Sequence, residues 1–253
     1  MEKKKIRAFY QEKALDWSLL PYFYGRDPLS VLYHLREVSF VRKSVEVLHN
    51  DLVLDIGCGP GRWIVEYVAN GAEVIALDIS VNMIKSAKIK TRKILKKPIR
   101  VNYVVGDAEH LPFADNKFDV VNCFDAFPHF PHPLKTLGEM RRVLRPGGSL
   151  LFEPSNIFSP MGIGLHIFRF LSKTMGIKKV DPIFTEWNRY DNVRTVKEWI
   201  RLTGLKLDQV ISVGYLIPPS HGFVSFFQKF ETSLENVFFL NMLGSRIAFK
   251  CRK

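Results

Sequence analysis

The chain has 253 residues, of which 47% are hydrophobic, and its formal net charge is +12. This length and apolar fraction are enough for one sizeable core, so we expect a single domain over residues 1–253. No apolar run reaches the roughly 18 residues of a membrane span, and no apolar signal region follows the charged start, so we expect a soluble, cytoplasmic protein. The three cysteines are scattered without a CxxC spacing, and we therefore expect neither a disulfide framework nor a metal site.

Much of the positive charge is concentrated in one segment. Residues 85–100 contain eight basic residues and no acidic one. The simplest interpretation is a solvated helix face with the loop that follows it. A basic surface that binds nucleic acid usually interleaves aromatic side chains that stack on bases, and this segment has none. Nucleic acid is therefore the minority interpretation.

Upstream of the central region, an apolar stripe predicts an amphipathic helix over residues 29–48. Five short segments rich in Val, Ile, Leu and Phe come next, each followed by a turn signal, and they are predicted to be buried strands. The helical stripe consists of Leu32, Leu35, Val38, Val41, Val45 and Leu48. The predicted strands cover residues 52–56, 73–78, 101–105, 118–124 and 149–153.

Helical patterns separate these strands. One of them has Leu134, Leu137, Met140 and Val143 at helical spacing and is predicted to end at the RPGG sequence of residues 145–148. Strands that alternate with helices form parallel sheets joined by right-handed crossovers. We therefore predict an α/β fold with a doubly wound sheet.

The last part of the chain is predicted to add further elements to this core. Thr195 and Glu198 have the spacing of a capping box and would open a helix that ends at Gly204. Two strands and a last helix follow, near residues 206–214, 246–251 and 223–240 respectively.

The sequence VLDIGCGPGRW, residues 53–63, places three glycines and a carboxylate at the end of the first predicted strand. A phosphate-binding loop of the Walker type needs a Lys and a Ser or Thr that do not follow Gly61, and a dinucleotide fingerprint needs glycine where Arg62 stands. The remaining pattern has Asp55 in a place where a pyrophosphate would be repelled. The ligand group near it should therefore be cationic.

These residues resemble the class I S-adenosylmethionine-dependent methyltransferases, in particular their ubiquinone and menaquinone C-methyltransferase-like branch (methyltransferase type 11). VLDIGCGPG is similar to the first motif of the family, and VIALDIS, VVGDAEHLPFADNKFDVV and HPLKTLGEMRRVLRPGGSLLFEP are similar to its next three regions. The resemblance covers about residues 50–153. It implies a Rossmann-like, mostly parallel seven-stranded sheet with a helical N-terminal extension and lid insertions.

The resemblance also implies that the cofactor is S-adenosylmethionine. Glycines let the main chain approach the cofactor, and a carboxylate at a strand end can accept both ribose hydroxyls, as expected of Asp78. Asp107 would accept the adenine amino group. Met83 and Leu111 would sandwich the purine or, alternatively, belong to the apolar core. Ordinary roles in a helix cap or a strand-end turn are the alternative for the carboxylates. The cofactor residues implied are Asp55, Gly57, Cys58, Gly59, Gly61, Asp78, Ile79, Met83, Asp107, Ala108 and Phe124.

The segment after the fourth predicted strand, NCFDAFPHF, should lie beside the methyl group. It lacks the Asn- or Asp-Pro-Pro-aromatic signature of nucleic-acid amino methyltransferases. His129 is the candidate general base, because imidazole titrates near neutral pH, with a packing role as the alternative. Glu153 could bind or deprotonate the acceptor, or it could simply pair with a basic side chain.

Specificity is expected to come from the flanks of the core. Residues 22–27 and 181–190 mix aromatic and charged side chains and could form a lid over an aromatic or lipid-like small-molecule acceptor. An RNA- or protein-directed methyltransferase, or a nucleic-acid-binding protein that keeps the fold, is the alternative function. The chain is expected to be a monomer or a homodimer. Its parts would be an extension over residues 1–49, a cofactor-binding core over 50–153, and a substrate lid with C-terminal strands over 154–253.

Overall fold

The structure, a computed structural model, describes residues 3–8, 10–11, 28–47, 49–95, 100–174, 189–213, 226–227, 229–230 and 243–253. The first two of these ranges are helical. The longer helices are α1 (Pro28–Ser44), α2 (Arg62–Ala69), α3 (Val81–Leu95), α4 (Pro133–Val143), α5 (Pro160–Thr174) and α6 (Val193–Leu202). The strands are β1 (Leu52–Ile56), β2 (Glu73–Asp78), β3 (Val101–Val105), β4 (Phe118–Cys123), β5 (Leu144–Phe152), β6 (Ser155–Asn156), β7 (Tyr190–Asp191), β8 (Lys206–Val213) and β9 (Arg246–Arg252).

The strands form one mixed sheet in which β3, β2, β1, β4, β5 and β9 are neighbours in that order. The contacts among the first five of these strands are parallel, whereas β9 runs antiparallel to β5 and to β8 on its other side. The two-residue strands β6 and β7 extend the sheet along β9. The predicted α/β class and the mostly parallel Rossmann-like sheet are therefore confirmed. The described residues form nine strands where seven were expected, because the two-residue strands β6 and β7 extend the sheet.

The strand order reverses between β1 and β4, since β2 and β3 lie on one side of this pair and β5 lies on the other. Apolar side chains of α4 and α6 cover one face of the sheet, and those of α1, α2 and α3 cover the other. Ligands of such sheets bind beyond the carboxyl ends of the strands at the reversal. Asp55 and Asn122 are paired neighbours there, at the ends of β1 and β4.

The prediction for residues 144–153 was wrong in detail. Helix α4 ends at Val143, and the RPGG sequence belongs to β5 instead of forming a turn before it. Leu144 is fully buried and pairs with Phe118, after which the register shifts by a bulge. The burial of this leucine anchors the strand six residues before its last buried stretch, residues 150–152, so the glycines form an irregular part of a strand.

Three further expectations need correction. Helix α6 is capped by Asn192, whose side chain accepts from the backbone N–H of Thr195, while Glu198 pairs with Arg201. Strand β3 is an edge strand with partly exposed side chains, because no strand among the described residues pairs with its outer side. In α1, Leu35 is 36% exposed although it belongs to the predicted stripe, because charged residues of the same helix occupy the buried positions.

Several predicted features lie wholly or partly outside the described residues. These are Leu48, residues 22–27, most of residues 181–190, and most of the helix predicted near residues 223–240. Among the helices that the structure describes, none combines the length and the apolar character that crossing a membrane requires. On α3, Lys85, Lys88, Arg92 and Lys93 are exposed, as expected of a solvated basic face.

Candidate active site

A cavity with a volume of about 440 Å³ opens at the carboxyl ends of the parallel strands, where the strand order reverses. Small-molecule sites typically have volumes of about 300–1,000 Å³. The N-terminal helical residues and α1 contribute to its wall together with the strand ends. Among the predicted site residues, those that line it are Gly57, Cys58, Gly59, Asp78, Ile79, Met83, Asp107, Ala108, Phe124 and His129. Asp55, Gly61 and Glu153 do not line it.

The loop after β1 brings bare backbone to the cavity. Gly57, Gly59 and Gly61 all have left-handed φ values, of 68°, 49° and 94°. A Cβ atom on Gly57 would lie 2.3 Å from Cβ of Ala126, whereas one on Gly59 would meet nothing within 4 Å. A Cβ atom on Gly61 would lie 2.9 Å from Cγ2 of Thr91 in α3. The first two glycines therefore shape the cavity, and the third allows close helix packing.

Asp78 ends β2 and is 7% exposed. Its two carboxylate oxygens accept the backbone N–H groups of Gly59 at 2.9 Å and Ser80 at 2.8 Å. Burial raises the pKa of Asp78 to about 6, although these hydrogen bonds favour the charged form. A carboxylate has about four lone-pair directions, so this side chain can still accept hydrogen bonds from a ligand.

Asp55 is 2% exposed and lies behind the cavity wall. Its Oδ1 accepts from Nδ2 of Asn122 at 2.8 Å, while Oδ2 is buried without a hydrogen-bond partner among the described residues. Burial raises the pKa of Asp55 to about 7. Because the side chain does not line the cavity, its predicted effect on a cationic ligand would act through intervening groups.

Asp107 lines the far end of the cavity, where the N-terminal helical residues meet the end of β3. Lys3 Nζ lies 2.6 Å from Oδ2 of Asp107 and 2.7 Å from Oε2 of Glu109. Burial raises the pKa values of both carboxyl groups, but their hydrogen bonds, of which that from Lys3 is the strongest, together with the charge of Lys3 leave both pKa values below their usual range. An adenine amino group would therefore share Asp107 with Lys3. Lys3 was not predicted, because nothing in its charged surroundings in the sequence marks it as a cavity residue.

Apolar side chains line the space between these carboxylates. Met83 and Ala108 belong to the cavity wall, whereas Leu111 does not line it and instead packs in the core beneath the sheet. Phe124, directly after β4, stacks on the Trp63 ring with their centroids 4.9 Å apart. Of the two side chains expected to sandwich the purine, only Met83 therefore lies on the cavity wall.

The turn after β4 carries two polar side chains that line the cavity. Asp125 has a left-handed φ of 59°, which is unusual for a residue other than glycine. His129 ends the short 3-10 turn Phe127–His129, and its ring lies edge-on to Tyr10 with centroids 5.4 Å apart. The structure thus brings the candidate base and the N-terminal helical residues to the same wall.

Glu153 follows β5 and lies behind this wall with 2% of its side chain exposed. Its Oε1 is 3.2 Å from Nη1 of Arg246. Burial and the neighbouring Glu37 carboxylate raise the pKa of Glu153 well above its usual range. Glu153 pairs with a basic side chain and does not line the cavity wall. Both observations agree with the alternative expectation, in which Glu153 simply forms an ion pair.

Part of the chain is similar to known methyltransferases. Residues 54–152 match the family model described as a methyltransferase domain. A demethylmenaquinone methyltransferase of Staphylococcus carnosus is 33% identical over 150 residues, which cover 58% of each chain. A ubiquinone biosynthesis O-methyltransferase of Saccharophagus degradans is 24% identical over 216 residues, covering 85% of this chain and 86% of that protein. In two further demethylmenaquinone methyltransferases the match covers 52% and 50% of the relative, so the chain spans about half the length of these curated relatives.

A solved structure has a similar fold. Magnesium protoporphyrin IX methyltransferase from Synechocystis PCC 6803, solved with bound SAH, superposes with a TM-score of 0.69 and 16% identity, covering 99% of both chains. The matched family segment contains β1 to β5, whose carboxyl ends or following loops supply most of the cavity wall. Residues 54–152 of this chain therefore match a methyltransferase domain, and the likeness to the solved structure is one of fold.

Proposed function

We propose that the protein transfers a methyl group from S-adenosylmethionine to an oxygen, nitrogen or carbon atom of a small-molecule acceptor. The observation that carries this proposal is the pairing of Asp78 with the glycine loop: a buried carboxylate and two left-handed glycines face one cavity at the reversal of the strand order. The family match of residues 54–152 supports the same cofactor.

The residues present fit this cofactor. The backbone at Gly59 leaves open space where a side chain would otherwise stand, and Gly57 lets the same loop pack against Ala126. The helix α2 that follows begins with a positive dipole end that favours a carboxylate. Asp78 offers a buried acceptor for ribose hydroxyls, and the wall near Met83 is apolar enough for a purine. Asp55, close behind the glycine loop, places negative charge near a cationic group.

S-adenosylmethionine supplies, when bound, a methyl group that is already electrophilic on its sulfonium. The work left to this chain is to place an acceptor atom, exclude water and receive the proton that the acceptor loses. His129 lines the cavity with an imidazole suited to take that proton. Glu153 is withdrawn behind Arg246, so we assign it a positioning role in place of proton transfer.

A small molecule is favoured over a macromolecule as the acceptor. Lys3, Ile6 and Tyr10 of the N-terminal helical residues form part of the cavity wall, and this cover narrows the approach for a nucleic acid or a protein. The exposed basic residues of α3 are the feature that favours the alternative, an RNA- or protein-directed enzyme. The division at residues 49 and 153, the monomeric or homodimeric state and a cytoplasmic location stay predictions of this proposal.

Two experiments test the proposal. Titration calorimetry should show binding of S-adenosylmethionine and SAH but of neither NAD nor ATP; a preference for NAD or ATP would contradict the proposal. Incubation of cell extract with the protein and methyl-labelled cofactor, followed by mass spectrometry, should then reveal a labelled small molecule. Label that appears only in RNA or protein would favour the alternative, as would nucleic-acid binding in a salt-dependent filter assay that competes with small-acceptor turnover.

A further inference from the structure

A network of charged side chains lies beneath one part of the cavity wall. Arg62 Nη2 donates to Oε2 of Glu37 at 2.9 Å and also to Oδ2 of Asp125. Arg246 Nη1 donates to Oδ1 of the same Asp125 and lies 3.2 Å from Oε1 of Glu153. Arg62, Asp125 and Arg246 line the cavity, whereas the two glutamates are buried behind them. The network joins the ends of β4 and β5 to α1, α2 and β9.

The two arginines use only one nitrogen each for these contacts. Nε and Nη1 of Arg62 and Nε and Nη2 of Arg246 donate to no residue that the structure describes, and none of these four atoms is buried. Guanidinium groups bind carboxylates with two parallel hydrogen bonds, so each arginine retains donors of the kind that such a ligand needs.

The network holds both guanidinium groups in place before any ligand arrives. Arg246 lies over the Tyr33 ring at 4.6 Å from its centroid, and Glu37 contacts both arginines from behind. Asp125 bridges the two guanidinium groups from a left-handed backbone position, with 35% of its side chain exposed. A carboxylate bound across their open sides would therefore meet two oriented donors, at the cost of proximity to Asp125.

The charges of this network balance. Burial and the neighbouring Glu37 carboxylate raise the pKa of Glu153, which favours the neutral form of Glu153 and leaves one negative charge on this pair. Asp125 adds a second negative charge, which the two arginines neutralise. A bound anion would then supply the negative charge that complements the positive sulfonium of the cofactor. Aromatic side chains of Tyr10, Tyr33 and Phe130 line the same cavity.

We propose that Arg62 and Arg246 form an anion-binding wall in the acceptor subsite and that the acceptor is an aromatic molecule carrying a carboxylate. This inference rests on the proposed function, since it assigns the acceptor of that same site. It makes Arg246 a specificity-determining residue, because Arg246 comes from β9 and is remote in sequence from the cofactor loop.

The test compares benzoate with its neutral analogue benzamide, titrated by calorimetry into the SAH-loaded protein. The wild-type protein should bind benzoate at least about tenfold more tightly than benzamide. Arg246→Lys keeps the charge beside Glu153 but removes the planar fork, and should reduce this preference to about threefold or less. Arg201→Lys, a matched change at an exposed pair on α6, should leave it intact.

Asp125→Asn is a second variant, and it is expected to increase the preference for benzoate where Arg246→Lys decreases it. Asparagine tolerates a left-handed φ, so the backbone should be kept while the competing negative charge is removed. Benzoate should then bind several-fold more tightly, and benzamide should bind as before. Equal affinities for the two probes in the wild-type protein, an unchanged preference in Arg246→Lys, or no saturable benzoate binding would each overturn the inference.

SAH affinity separates the two sources of a carboxylate in this site. It should be the same in Arg246→Lys as in the wild type. A large loss would mean that the arginines serve the carboxylate of the cofactor, and the acceptor assignment would be wrong. If the wild-type protein does not bind SAH at all, the proposed function fails, whereas the benzoate preference can still be measured on the free protein.

Discussion

The most informative single change is Asp78→Ala, because this side chain is largely buried and its remaining exposed edge lines the cavity. Its two oxygens accept the N–H groups of Gly59 and Ser80, and its remaining lone pairs are the proposed acceptors for two ribose hydroxyls. Hydrogen bonds to a charged group are worth about 1.5–3 kcal/mol each, and water entering the truncated site restores part of this. We expect SAH affinity to fall by about 1–3 kcal/mol, or roughly 5- to 150-fold.

The assay is titration calorimetry with SAH, and its matched control is Asp119→Ala. Asp119 is also a poorly exposed carboxylate that accepts a backbone N–H, from Leu52 at 2.6 Å, but it does not line the cavity. Thermal denaturation of both variants shows whether each is folded. SAH affinity that is unchanged in Asp78→Ala, or lowered equally in both variants, would refute the assignment of Asp78 to the ribose.

Three further predictions concern pH, backbone strain and proton transfer. Burial raises the pKa of Asp55 to about 7, above its unfolded value, so the contribution of Asp55 to the free energy of unfolding decreases as the pH rises from about 4 to about 7. In thermal denaturation, Asp55→Asn should therefore stabilise the protein at about pH 8 but not at about pH 4. An equal effect at both pH values would contradict this. The ratio of S-adenosylmethionine to SAH affinity, which isolates the sulfonium charge, should rise over the same range and rise less in the variant. Gly57→Ala combines a left-handed φ with a 2.3 Å approach to Ala126 and should cost more stability than Gly59→Ala, by about 1–3 kcal/mol, and Ala126→Gly should recover the difference. His129→Ala should slow turnover by about 10²- to 10⁴-fold while SAH affinity holds, and an unchanged rate would remove its role as a base.

The parts of the fold that the sequence predicted are those encoded by short-range patterns. The parallel strands read as short apolar runs with turn signals, because all of them except the edge strand β3 are largely buried. The first four were predicted to within one residue. Gly57 and Gly59 were identified because only glycine readily takes a left-handed φ there. The errors at β5 and α6 arose where a distant contact or an unexpected cap overrode a local signal, as with Leu144 and Asn192.

The parts that could not be predicted depend on contacts between distant segments. Lys3 reaches Asp107 across more than a hundred residues, and Arg246 reaches Asp125 across a similar distance. A single sequence contains no signal for such pairs, since each partner looks like an ordinary surface charge. The same limit explains why Glu153 was a candidate for catalysis although it lies behind Arg246.

The carboxylates around the cavity are costly for folding, and this cost itself points to a ligand. Asp55 has a buried oxygen without a partner among the described residues, and burial raises the pKa values of Asp55 and Asp78 by more than their hydrogen bonds lower them. A buried polar group without a partner destabilises a fold by about 1–3 kcal/mol, so packing alone gives no reason for such carboxylates at adjacent strand ends. A cationic ligand makes these carboxylates favourable, because its positive charge stabilises their ionised form, which burial alone destabilises. The stability lost at these strand ends therefore returns as binding free energy when the ligand is bound.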